Sequence, residues 1–153
     1  MRFAADIELG NKRDQGLPAE ALPRIGPATL LLGRYDGQAN PIPSPIAAND
    51  LFVRLKAGER WTYTPPNGHR VLWTAPASGA IDAGGRLVPG EIAVFDLSEA
   101  PAQFVALEDS EFVVGSAEPQ VEPLVLGYYS VHTSPERLAE GEAEIKRLAG
   151  RGR

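Results

Sequence analysis

The chain of 153 residues contains no cysteine, which excludes a disulfide framework, a thiolate metal site and a cysteine nucleophile. It has two histidines in all, His69 and His132, where a mononuclear centre of the His-rich type gathers about three imidazoles and a carboxylate. No apolar run approaches the roughly 18 residues that a bilayer span requires. The opening residues, Met1 to Arg13, hold no apolar signal core, so a cytoplasmic protein is expected. Basic charge is also short. A net charge of −5 leaves no positive field for a phosphate backbone, and neither nucleic acid nor a membrane is an expected partner. The basic tail of Arg147, Arg151 and Arg153 reads as a solvated helix end.

What is plentiful is turn-forming residues. Gly 16 and Pro 14 together approach a fifth of the chain, natural for a turn-rich β protein, while 43% hydrophobic residues suffice to bury one core. Residues 1–23 read as an extended leader. Pro18 and Pro23, with Pro27 just beyond, forbid a long helix there, and Phe3, Ile7 and Leu9 are its expected apolar contacts. Strand signals begin at Ala28. Leu51, Val53 and Leu55 alternate with Phe52, Arg54 and Lys56, the pattern of a half-buried strand. Trp61 and Tyr63 alternate with Thr62 and Thr64. Turns are marked by Tyr35-Asp36-Gly37, Ala57-Gly58-Glu59 and Pro66-Asn67-Gly68. Further strands are expected around Val71–Trp73, Ile81, Leu87, Ile92–Phe95, Phe104–Leu107 and Phe112–Gly115. About eight or nine antiparallel strands suit a barrel. A helix follows at about 135–149, with Ser134 as N-cap, Pro135 in the first turn and Glu136 favourable to the dipole. Leu138, Ile145, Leu148 and Ala149 form its apolar stripe, for the outside of the barrel or a second subunit. Glu142 and Lys146 are spaced as an ion pair, and Gly141 weakens the middle by about 1 kcal/mol relative to Ala.

The succession Lys56-Ala57-Gly58, Gly68-His69, Ser78-Gly79 and Pro89-Gly90-Glu91 is the skeleton of a cupin. Together with RLKAGERW (Arg54–Trp61) and PPNGH (Pro65–His69), the tail LGYYSVHTSPERLAEGEAEIKRL (Leu126–Leu148) resembles the C-terminal domain of the pirin family. Tyr128, Tyr129, Val131, Thr133 and the helix from Pro135 match that family's closing motif, and the likeness covers about residues 24–149. The resemblance implies an all-β fold, a single cupin (RmlC-like jelly-roll) barrel over residues 24–153 with one C-terminal helix. Residues 1–23 look like the segment that precedes this half. Pirins carry two barrels and hold iron in the first, on three His and a Glu. That barrel has no counterpart here, so the chain looks like half a pirin, a natural single-barrel relative or a fragment.

Counting from Gly58 places Thr64 and Pro66 where a cupin carries its first two histidines, and Arg70 or Val71 in the glutamate slot. Ile92 to Ser98 holds no histidine after Pro89-Gly90. No metal and no other cofactor is therefore expected. No catalytic residue is assigned either: Ser130, His132 and Glu136 are near in sequence but lack a nucleophile elbow, and no glycine-rich phosphate loop sits between a strand and a helix. His69 reads as an imidazole bonded at a turn, or as a residue lining the barrel mouth. Trp61, Tyr63 and Trp73 read as core filling, or as the wall of an apolar pocket with His69.

These readings favour a metal-free, non-catalytic module acting in barrel–barrel assembly or protein–protein interaction. A homodimer or a second cupin barrel is its expected partner. The alternative is part of a quercetin 2,3-dioxygenase-like pirin enzyme whose iron lies in a barrel absent from this chain.

Overall fold

The computed structural model describes residues 16–150, in two compact units that divide at Pro119–Gln120. Phe3, Ile7 and Leu9 of the leader, and Arg151 and Arg153 of the tail, lie outside the described residues. Among the described residues, no helix is long and apolar enough to cross a membrane.

In the larger unit, a single 3-10 turn at Ala19–Ala21 precedes twelve strands. They are β1 (Arg24–Ile25), β2 (Ala28–Leu32), β3 (Arg34–Tyr35), β4 (Gln38–Ala39), β5 (Ala48–Leu55) and β6 (Arg60–Tyr63), then β7 (Val71–Ser78), β8 (Ile81–Asp82), β9 (Arg86–Leu87), β10 (Ala93–Val94), β11 (Ala102–Ala106) and β12 (Ser110–Ala117). Half of these are two residues long, which is why the count exceeds the eight or nine expected from runs of side chains. Asp36, at φ 46°, and Gly37, at φ 75°, close the β3–β4 hairpin in the left-handed conformation that an Asp-Gly pair adopts at little cost.

A six-stranded sheet, β1-β2-β5-β12-β7-β10, stands against a four-stranded sheet, β6-β11-β8-β9. Every pairing in both is antiparallel. Pro76, which cannot donate to a ladder, sits in β7 where the register against β12 slips between Glu111 and Phe112, an irregularity of the kind that admits proline inside a sheet. Leu51, Val53 and Leu55 point inward while Phe52 and Arg54 point out, as their alternation requires.

The core is a run of rings and aliphatics. Tyr63, Phe104, Phe112, Leu30, Leu51, Ile81, Val53 and Val114 are essentially inaccessible. Ring centroids follow one another at 4.9 Å (Tyr35–Tyr63), 5.8 Å (Tyr63–Trp61), 5.8 Å (Trp61–Phe104) and 5.4 Å (Phe104–Phe112). Each fully buried side chain among them contributes on the order of 1.5–3 kcal/mol from removal of apolar area from water, so rings and aliphatics together hold the two sheets.

In the smaller unit, β13 (Val125–Leu126) pairs with β14 (Val131–His132), and α1 (Pro135–Ala149) follows. Ser134 caps the helix by accepting the Arg137 N–H at 3.2 Å. Glu142, spaced to pair with Lys146, instead accepts the Tyr128 N–H at 3.0 Å. An ion pair on this helix joins Glu144 to Arg147. Gly141 is the buried residue of α1 because the His132 ring lies against it.

Candidate functional site

The inward row of β5 reads Asn49, Leu51, Val53, Leu55, and that of β12 reads Ser110, Phe112, Val114, Ser116. These strands are antiparallel with Asn49 opposite Ser116. Two apolar rows thus turn polar at the same end of the barrel. The last residue of β6, Tyr63, brings its hydroxyl to that end, and the Pro65–Gly68 turn delivers His69.

The four side chains form one hydrogen-bonded chain. Tyr63 Oη lies 2.7 Å from Ser116 Oγ, and Ser116 Oγ lies 2.9 Å from His69 Nδ1. Asn49 Nδ2 donates to Tyr63 Oη at 3.3 Å and to the Arg34 carbonyl at 2.7 Å, while Asn49 Oδ1 accepts the Arg34 N–H at 2.8 Å. All four are buried. Burial pushes the Tyr63 hydroxyl above its ordinary range, against the opposing effect of its bonds to Ser116 and Asn49. Burial also pushes the His69 imidazole down, with the Glu118 carboxylate pulling the other way.

Beside this chain opens a cavity of about 370 Å³, lined among others by Arg34, Ile46, Asn49, Pro66, His69 and Glu118. Glu118 follows β12, its N–H bonded to the Ala47 carbonyl at 3.1 Å. Its Oε2 is enclosed and takes no hydrogen bond. A larger depression of about 600 Å³ lies elsewhere on the barrel, but its polar lining (Asp82, Asp96, Ser98, Gln103) is exposed to solvent. The buried His69 imidazole is at the smaller cavity.

Of the residues singled out from sequence, the structure brings Tyr63 and His69 together. Trp61 is half-buried, stacked on Phe104 within the core. Trp73 lies on the opposite face of β7 from Leu72 and Thr74, its indole covering Gly115 on the outside of the six-stranded sheet. Asn49, Ser116 and Glu118 were not singled out. The legible signal for the first two was the shared polar end of two inward rows.

No family model matches the chain. A curated Pseudomonas aeruginosa protein bearing a provisional quercetin 2,3-dioxygenase name is 31% identical over 119 residues, covering 75% of this chain and 40% of that protein. The crystal structure of a quercetin 2,3-dioxygenase from Acinetobacter baumannii superposes with a TM-score of 0.77 at 20% identity, covering 87% of this chain and 49% of that one. The bacterial pirin YhhW of Escherichia coli, in complex with nickel(II), gives a TM-score of 0.52 at 14% identity over 60% of this chain and 39% of that one. The chain spans less than half the length of the curated relative it matches.

A nickel-bound pirin raises the question whether these residues fit a metal. Thr64 and Arg70, at positions where spacing puts ligands, are exposed, and Pro66 and Val71 offer no donor side chain. The inward positions of β6 are Trp61 and Tyr63, and the Tyr63 hydroxyl is already engaged by Ser116 and Asn49. Among the described residues, no three His, Cys, Asp or Glu side chains converge. The donor set does not fit. What the geometry and the comparisons establish is a cupin jelly-roll fold in a chain that resembles the pirin-like cupins.

Proposed function

We propose that this chain is a metal-free, non-catalytic pirin-like cupin module, acting in the cytoplasm through barrel–barrel assembly or protein–protein interaction. One observation carries the reading: the space between the sheets is occupied by contiguous rings from Tyr35 to Phe112. A mononuclear site needs convergent imidazole or carboxylate donors around an open position, and this interior presents aromatic faces instead. Assembly is supported by apolar surface: Ile92, Val94 and Leu97 at the barrel edge are 61%, 70% and 56% exposed. In the smaller unit, Leu126, Tyr128 and Tyr129 are likewise exposed, and groups of this kind mark contact surfaces.

The second reading is that the chain is part of a quercetin 2,3-dioxygenase-like enzyme whose iron lies in another barrel. It is favoured by the name carried by the 31% identical relative. One measurement tests the first reading on this chain. After incubation with excess Fe(II) or Ni(II) and removal of free metal, elemental analysis is expected to find no stoichiometric metal, and quercetin is expected to remain unconsumed. Bound iron with quercetin turnover would overturn the proposal.

A further inference from the structure

Asn40, Asn49 and Asn67 are the asparagines among the described residues, and they differ in what holds them. Asn40 Nδ2 donates to the Leu30 and Leu31 carbonyls at 3.1 and 2.9 Å, and the next residue is Pro41, whose nitrogen bears no hydrogen. Asn49 is buried, with both ends of its amide bonded to Arg34. Asn67 is exposed, and its side-chain amide takes no hydrogen bond among the described residues.

The residue after Asn67 is glycine. The peptide plane between Asn67 and Gly68 has neither its carbonyl nor its N–H bonded among the described residues. The turn is closed instead by the His69 N–H, which donates to the Pro66 carbonyl at 2.9 Å. Gly68, at φ 86°, has no Cβ to oppose rotation of that plane or to shield its nitrogen. An amide carbon and a free backbone N–H one residue apart are thus able to meet. The same turn seats His69 against Ser116, Nδ1 to Oγ at 2.9 Å. Glu118 packs on it from the other side, since a Cβ built on Gly68 would stand 2.9 Å from Glu118 Oε1.

We propose that Asn67-Gly68 is a self-modification site, at which the Asn67 amide is lost and the turn passes to an aspartyl or isoaspartyl form. Base removes the Gly68 amide proton, and the nitrogen attacks Asn67 Cγ. The new N–C bond forms as the bond from Cγ to Nδ2 breaks, and ammonia leaves with a proton from water. Water then opens the cyclic imide: at Cγ it gives aspartate, at the main-chain carbonyl isoaspartate. No electrons are exchanged and water is the co-reactant. Either product sets a new carboxylate at the cavity that Glu118 also lines, where like charges repel. Isoaspartate also adds a methylene to the main chain inside the turn. The Pro66–His69 bond then loses its geometry, and His69 leaves Ser116.

The test is incubation of the full folded chain at pH 6.5 and pH 8.5, followed by tryptic peptide mapping with mass detection. Peptide Trp61–Arg70 carries Asn67, and peptide Tyr35–Arg54 carries both Asn40 and Asn49. The first is expected to gain the mass of an amide-to-acid exchange, faster at pH 8.5, and to resolve into two acid forms. The second should convert about tenfold or more slowly, because its amides must first leave their hydrogen bonds. Asn67→Gln, one methylene longer, should stop the reaction. The purified isoaspartyl chain is expected to show shifted His69 imidazole signals with those of His132 unmoved. It should also unfold at lower urea than the unreacted chain. No acid form in Trp61–Arg70 under conditions where the isolated peptide reacts, or equal conversion of the two peptides, would overturn the proposal. So would His69 signals and a urea midpoint indifferent to the isoaspartyl link.

Discussion

Burial holds the His69 imidazole below its ordinary value of 6.5, and the Glu118 carboxylate only partly offsets this. The consequence for stability has a definite sign. As pH falls through about 6.5 the unfolded chain takes up a proton at this histidine while the folded chain does not. The contribution is therefore fully present above that value, and is lost as pH falls from it towards the depressed folded value. Urea midpoints measured from pH 7.5 down to pH 5 are expected to decline over the upper part of that range. In His69→Gln this component should be absent, although the variant starts from a lower stability because Ser116 loses a hydrogen-bond partner. Parallel pH profiles for the two chains would show that His69 titrates no differently when folded.

At the scale of elements, strands and turns were legible because each is a local pattern. The alternation of Leu51, Val53 and Leu55 with Phe52 and Arg54 needs no knowledge of a partner. The site was half legible: Tyr63 and His69 stood out by residue type. Ser116 acquires its meaning through bonds to His69 and Tyr63 across 47 and 53 residues of chain, and Asn49 through bonds to Arg34 and Tyr63 across 15 and 14. Counting from Gly58 reached Thr64, one residue past Tyr63, and one step along a strand moves a side chain from the inside to the outside. Trp73 lies outside for the same reason, one step from the inward Leu72. Helix α1 carries a similar lesson at Gly141. Propensity alone makes Gly141→Ala stabilising by about 1 kcal/mol. A Cβ there would stand 2.5 Å from two atoms of the His132 ring, which is buried and bonded to Ser130 Oγ at 3.1 Å. We expect the clash to win, with a net destabilisation of about 1 kcal/mol in urea denaturation followed by helix circular dichroism. A stabilised variant would mean that the ring yields freely.

For the whole molecule, the question is what covers the apolar edge of the barrel. Strand β10 ends the six-stranded sheet, with one side paired to β7 through Val94 opposite Trp73. Val94 is 70% exposed there, with Ile92 and Leu97 close by in sequence and also exposed. An open sheet edge flanked by apolar side chains is a template for another strand. The relatives are more than twice as long as the stretch that this chain matches, so in them there is room for a second domain of this size. A second copy of this chain would fill that role, and pairing β10 with its own equivalent about a two-fold axis makes a closed, isologous contact rather than an open fibre. Light scattering on the purified chain is therefore expected to give twice the protomer mass of 16.4 kDa at high micromolar concentration. Val94→Lys places a charge at the centre of that contact on a side chain already open to solvent, so the fold should survive while dimer affinity falls by about tenfold or more. A monomer at high concentration in the unaltered chain, or a dimer indifferent to the lysine, would remove this edge as the contact.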